Sequence, residues 1–152
     1  MKIGLYPGSF NPWHEGHTDI LGKALGVFDK VIVAIGYNPE KDMPFQIDKR
    51  AVQIQDSIPY SHRFVEIRHF DGLLVNCVDG FGADAIIRGL RNGHDLQYEM
   101  NQQYWNEDLG LTIPVVYFIC DRKLSHISSS VIRMLKKFDG KKETEEKKKS
   151  SV

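Results

Sequence analysis

The chain has 152 residues and a mass of 17.4 kDa, room for one domain around one core. Its 20 Lys and Arg balance 20 Asp and Glu, so the formal net charge is zero, which argues against broad electrostatic binding to nucleic acid. No apolar run approaches the roughly 18 residues that a membrane span needs, and Cys77 and Cys120 have neither a CxxC partner nor metal-ligand spacing. The expectation is a cytoplasmic protein with two reduced, buried thiols, no membrane contact and no nucleic-acid partner.

Strand and helix patterns alternate along the chain. Ile3 to Tyr6 is a short apolar run closed by Pro7-Gly8, a strand followed by a turn. Ile20, Leu21, Ala24, Leu25 and Phe28 recur at helical spacing and predict a helix from about His17 to Phe28. Val31 to Ile35 is a continuous run, as expected of a strand buried on both faces. Ile47, Ala51, Ile54 and Ile58 mark one face of a second helix, and Phe64 to His69 alternates as a third strand.

A helix beginning over Leu73 to Val78 is weakened by Gly80 and Gly82. Ala85 to Ile87 reads as a buried strand, Asp95 to Leu109 as a polar and aromatic helix, and Val115 to Cys120 as a fifth strand opened by Pro114. Ser128 to Phe138 reads as the final helix. From Asp139 onward the chain is rich in Lys and Glu and nearly free of apolar residues, so residues 139–152 are expected to be a disordered tail outside a domain of residues 1–138.

Strands separated by helices imply an α/β fold: an open five-stranded parallel sheet covered on both faces. Ligands in such folds sit beyond the carboxyl ends of the strands. Residues just after Tyr6, Ile35, Ile87 and Cys120 should therefore converge on one crevice.

Chemistry-bearing residues stand at those strand ends. Gly8 and Gly16 flank a turn holding His14 and His17, where glycine allows close backbone approach and helix-start amides attract phosphate. A neutral histidine there can donate to a phosphate oxygen, and a charged one can offset its charge. A structural turn remains the plainer reading of either histidine alone. A metal site lacks a supporting third ligand nearby. Arg88 and Arg91 follow a buried strand and suit phosphate oxygens, with Gly89 permitting a tight turn between them. Ser128, Ser129 and Ser130 precede the last helix. One serine suffices for a cap, leaving hydroxyls and amides for a polyphosphate. Lys41, in the loop after the second strand, is unremarkable on spacing alone.

Together these segments resemble the nucleotidyltransferase superfamily marked by an HxGH or TxGH turn and a late ISSS or ISST segment. Within it the resemblance is to bacterial phosphopantetheine adenylyltransferases, from Met1 to about Phe138. It is carried by Gly8 to Pro12 with Gly16-His17, by Arg88 to Arg91, by Tyr98-Glu99-Met100 and by Ile127 to Ser130. Two positions depart from that pattern: Asn11 stands where aspartate is usual, and His14 where threonine is.

The resemblance implies transfer of the adenylyl group of ATP to phosphopantetheine, with Mg²⁺ accompanying the nucleotide and a homohexameric assembly. It assigns His17 to the transition-state phosphate, and charge chemistry adds Lys41 and Arg91 as the expected catalytic helpers. Ser9, Phe10, His17, Gly89, Leu90, Arg91, Glu99, Leu124, Ser125, His126, Ile127, Ser128, Ser129 and Ser130 would contact ATP. Ser9, Lys41, Leu74 and Arg88 would contact the acceptor, and no metal ligand is expected among the side chains. Alternative readings are adenylation of nicotinate or nicotinamide mononucleotide, a cytidylyltransferase using CTP, and a nucleotide-binding module without turnover.

Overall fold

The computed structural model of the chain describes residues 1–37, 40, 42 and 44–151. Its elements run β1 (Ile3–Gly8), α1 (Glu15–Leu25), β2 (Lys30–Tyr37), α2 (Pro44–Ser57), β3 (Val65–Asp71), α3 (Leu74–Phe81), β4 (Ala85–Leu90), α4 (Gly93–Asp108), β5 (Val115–Ile119) and α5 (Ser129–Ser150). The five strands form one parallel sheet in the order β3-β2-β1-β4-β5. This is the α/β sheet that the alternating pattern predicts.

The alternation of side chains along β2 builds two cores at once. Val31, Val33 and Ile35 pack with Ile20, Leu21 and Ala24 of α1 and with Ile47 and Ile54 of α2. Ile32 and Ala34 face the opposite layer, with Leu5, Ile86 and Val78 of α3. All five β2 residues are essentially inaccessible, which is why the run is apolar throughout rather than alternating.

The chain reverses its winding direction between β1 and β4, and there the sheet opens. β1 pairs with β2 along its whole length, from Ile3 with Lys30 to Gly8 with Ile35. With β4 it shares only the positions Gly4–Ala85 and Leu5–Ile86. Beyond these the two strands separate, leaving Tyr6 to Gly8 and Ile87 to Leu90 along the flanks of a gap. A ligand crevice is expected at such a reversal.

Three expectations need correction. Arg88, Gly89 and Leu90 lie inside β4, paired with Tyr117, Phe118 and Ile119, so Gly89 makes no turn. Its lack of a side chain serves packing instead: a Cβ there would stand 2.9 Å from Ile20 Cγ1. The final helix does not stop at Phe138: α5 continues through the segment from Asp139 to Ser150, where every residue is exposed. Lys and Glu are strong helix formers, and Glu143–Lys147 and Glu145–Lys149 sit four apart, so helix forms there without a core. The two thiols are free, but only Cys120 is buried, while Cys77 is partly exposed.

Gly89→Ala is expected to destabilise the fold by about 1–3 kcal/mol through overpacking against Ile20. A denaturant midpoint unchanged from that of the parent would contradict this contact.

Candidate active site

Two adjoining cavities occupy the gap between β1 and β4. The first has a volume of about 360 Å³ and is lined by the β1–α1 turn, the end of β4, the start of α4 and the start of α5. The second, of about 470 Å³, lies toward β3, β5 and the middle of α4. Pro7, Gly8, Ser9, Arg88 and Glu99 border both.

The β1–α1 turn presents two histidines as a fixed pair. His14 is the N-cap of α1, and its Nδ1 accepts from the Gly16 amide at 3.1 Å. The Nδ1 of His17 accepts from the His14 amide at 3.2 Å. The two rings stack with centroids 3.7 Å apart. Gly16 makes room for this arrangement, since a Cβ would stand 2.9 Å from the His14 ring. Because each Nδ1 is an acceptor, each neutral ring carries its hydrogen on Nε2. The Nε2–H groups are then the donors left for a ligand.

His17 is neutral by construction. Burial comes first, and the neighbouring His14 and Arg91 add to it, pushing the pKa down to about 3. His14 is lowered too, by burial and then by Arg91. The rings of Phe10, Trp13 and Tyr6 surround His17 at centroid distances of 5.0, 5.1 and 6.4 Å. Phe10 holds its place with φ of 47°, a conformation unusual for a bulky residue. Its ring is 3% exposed, so it supports the histidine from below as much as it lines the cavity.

Both arginines arrive already paired. Arg88 donates Nε and Nη2 to the two carboxylate oxygens of Glu99 at 2.6 and 2.7 Å, and Nη1 to the Pro7 carbonyl at 3.3 Å. Burial works against its charge, but Glu99 outweighs that and leaves the pKa raised. Arg91 donates Nε and Nη2 to Asp95 at 2.9 and 3.1 Å. These hydrogen bonds hold the Asp95 carboxyl below the usual carboxylate range. Of five N–H groups per guanidinium, Arg88 keeps two and Arg91 three for a ligand.

The serine segment is also more committed than its sequence suggests. Ser128 Oγ caps Val131, Ser129 Oγ donates to the Pro12 carbonyl at 2.8 Å, and Ser130 Oγ accepts from Arg133. Arg133 also donates to the Asn11 carbonyl at 2.6 Å. The Ser129 hydroxyl, together with Arg133, therefore ties α5 to the β1–α1 turn, while those of Ser128 and Ser130 bond within α5. What the helix start offers a ligand is its first-turn amides and dipole.

His17, Arg91, Ser9, Phe10, Gly89, Leu90, Glu99, Leu124, Ile127, Ser128 and Ser129 all line the first cavity. Leu74, Arg88 and Ser9 line the second. Ser125, His126 and Ser130 are exposed and border neither cavity, with the Ser125 hydroxyl turned to the Arg122 carbonyl. Lys41 lies outside the described residues.

Three contributors were not anticipated. Asp95 sits four residues after Arg91, a legible pairing distance. Arg50, 7% exposed, donates to Asp42 at 2.5 Å and to the Ser9 carbonyl at 3.4 Å, so α2 braces the turn. Nothing in local spacing announces that contact. Cys120, just past β5, lines the first cavity, and burial keeps its thiol pKa raised.

Comparison with known proteins places this geometry. The cytidylyltransferase-like family model matches residues 5–135. A phosphopantetheine adenylyltransferase of Cytophaga hutchinsonii is 40% identical over 139 residues, covering 91% of this chain and 92% of that one. The chain belongs to the cytidylyltransferase-like family, among the phosphopantetheine adenylyltransferases. A second such relative, from Alkaliphilus metalliredigens, is 38% identical over 141 residues, 92% of this chain and 88% of its own. The family fold extends to distant structures. A lipopolysaccharide core biosynthesis protein of Thermoplasma volcanium superposes with a TM-score of 0.54 at 21% identity, over 78% of this chain and 96% of that one. A pantoate-beta-alanine ligase of Francisella tularensis, in complex with beta-gamma ATP and beta-alanine, gives 0.52 at 20% identity, over 84% of this chain and 63% of its own. Like its relatives, this member of the family is a nucleotidyltransferase.

The depressed His17 pKa has a consequence for stability. As pH falls below about 6.5 the unfolded chain takes up a proton on this histidine before the folded chain does. Stability is therefore lost from about pH 6.5 down toward the folded value of about 3. His17→Asn offers an amide oxygen to the His14 N–H but cannot titrate. Its unfolding free energy should fall less steeply between pH 6 and 4, by up to about 1.4 kcal/mol per pH unit relative to the parent. Parallel pH profiles would contradict a neutral buried His17.

Proposed function

We propose that the chain transfers the adenylyl group of ATP to phosphopantetheine, giving dephospho-coenzyme A and pyrophosphate. The observation that carries this reading is the shared wall. Two cavities meet at Pro7, Gly8, Ser9 and Arg88, so two ligands can bring their phosphates to one place. The first cavity has the neutral histidine donors, Arg91 and the amides of α5 for a nucleotide. The second carries Leu74 and Arg88 for a phosphate-bearing acceptor.

The chemistry needs positioning more than bond-making groups. The acceptor is a phosphate monoester whose second pKa is about 6, so it is largely a dianion at neutral pH and needs no general base. One of its oxygens forms a bond to the α-phosphorus, and the bond to the β-phosphate oxygen breaks with its electron pair leaving as pyrophosphate. The difficulty is bringing two anions together. The Nε2–H of His17 donates to the α-phosphate oxygen as negative charge builds on it. Arg91 and the α5 amides hold the leaving phosphates, and Arg88 with Lys41 holds the acceptor. Ser9 stands at the junction.

Mg²⁺ bound with the nucleotide would supply charge neutralisation on its phosphates. Magnesium is habitually held by phosphate oxygens and water with few protein ligands. That habit fits this donor set, because Asp95 and Glu99 are engaged by arginines. The protein works in the cytoplasm, and none of its described helices is long and apolar enough to cross a membrane. A homohexamer fits the exposure of Tyr98, Tyr104 and Trp105 on α4, which is large for a face left to water.

His17→Ala should lower kcat by about 10²–10³ while leaving ATP affinity near that of the parent. Near-normal turnover would refute the assignment. Pyrophosphate release from ATP is expected with phosphopantetheine. Release only with nicotinate mononucleotide would favour that alternative acceptor. ATP binding without release on either would mark a module lacking turnover.

A further inference from the structure

The second cavity contains polar side chains that phosphate chemistry does not use. Tyr117 of β5 lines it together with Gln103 of α4. The Tyr117 hydroxyl donates to Gln103 Oε1 at 2.8 Å, and Gln103 Nε2 donates to Glu107 Oε1 at 2.8 Å. The direction of this chain is set from its far end. A carboxylate only accepts, so Glu107 draws the NH₂ of Gln103 toward itself. Gln103 must then turn its carbonyl oxygen to Tyr117, and the single phenol proton is committed to it. Burial first, and Glu99 after it, raise the Tyr117 pKa, so that proton stays in place at neutral pH. What Tyr117 offers to the cavity is therefore a pair of acceptor sites and no donor.

Its position suits the middle of a long acceptor. Tyr117 is the register partner of Arg88 across the β4–β5 ladder, so the two side chains rise from the same face on neighbouring strands. Both residues line the second cavity, so a ligand whose phosphate sits at Arg88 has the Tyr117 hydroxyl beside it in the same cavity. The pantetheine arm contains two secondary amides, and an amide N–H that leaves water without an acceptor carries a penalty.

We propose that Tyr117 is a specificity-determining residue that accepts a hydrogen bond from an amide N–H of the pantetheine arm. Gln103 and Glu107 act as positioning residues that keep its hydroxyl facing that way. The inference rests on phosphopantetheine being the acceptor.

The test is a cycle pairing Tyr117→Phe with two acceptor analogues, each having one amide replaced by an ester. The ester removes the N–H and keeps the shape. With the parent enzyme, one of the two esters should lose about 5-fold in kcat/KM, the worth of one net neutral hydrogen bond. Tyr117→Phe should lose a similar factor on the natural acceptor, through KM, with the KM for ATP unchanged. On that variant the ester penalty should vanish. Glu107→Lys should also abolish the penalty. Its ammonium can only donate, which turns Gln103 around and makes Tyr117 a donor to the cavity. Ester penalties that persist undiminished in Tyr117→Phe would overturn the proposal, since a purely structural tyrosine would weaken every acceptor alike. Absence of parent turnover with phosphopantetheine would instead overturn the acceptor reading beneath it.

Discussion

β1 and β4 hold one another at Gly4–Ala85 and Leu5–Ile86 and then part. Past that point the Pro7 carbonyl meets the Arg88 guanidinium rather than an amide of β4. A backbone acceptor left inside the sheet needs a donor, and a side chain of the opposing strand supplies it. The substitution keeps the gap open: the arginine is too long to let the strands close, and Glu99 of α4 holds it from the other side. The first cavity, the second cavity and the wall between them all depend on this one separation.

The cations of the site are presented through carboxylates. Arg88 rests on Glu99, Arg91 on Asp95 and Arg50 on Asp42. An arginine so held gives up part of its fork but loses little side-chain freedom when a phosphate arrives. The pairs also explain how a chain of zero net charge can build an anion site. Positive charge is supplied locally and oriented by carboxylates, of which Asp95 and Glu99 of α4 themselves border the first cavity. The bidentate Arg88–Glu99 pair is the more rigid of the two in the cavities, because its guanidinium also grips the β1 backbone.

The sheet was legible because burial on both faces leaves an unmistakable trace. Val31 to Ile35 is apolar without alternation, and Ile47, Ala51, Ile54 and Ile58 repeat at helical spacing. The crevice was legible too, since His17, Arg91 and Ser129 stand at strand and helix ends that this topology must gather. Less visible was what each group does with its hydrogen bonds. Glu99 lies eleven positions from Arg88, a distance with no local meaning, so the arginine fork seemed free. The hydroxyl of Ser129 meets Pro12 across 117 positions. Gly89 looked like a turn because the packing that excludes a Cβ comes from Ile20, on another element. In the charged tail, composition argued against a core, and it was read as an argument against helix as well. Those are separate questions when Lys and Glu dominate.

The histidine pair joins stability to chemistry. A charged imidazolium beside Arg91 would grip a triphosphate strongly before any reaction, and that grip would do nothing for the chemical step. In the proposed reaction, a neutral Nε2–H would bind the ground state weakly and gain as charge moves onto the α-phosphate oxygen. The fold secures that neutral form by placing His17 among Tyr6, Phe10 and Trp13 and by turning both Nδ1 atoms toward backbone amides. The same burial that fixes the donor makes the folded chain resist the proton its unfolded form would accept. Weaker acid stability is therefore the physical counterpart of a donor oriented in advance for the transition state.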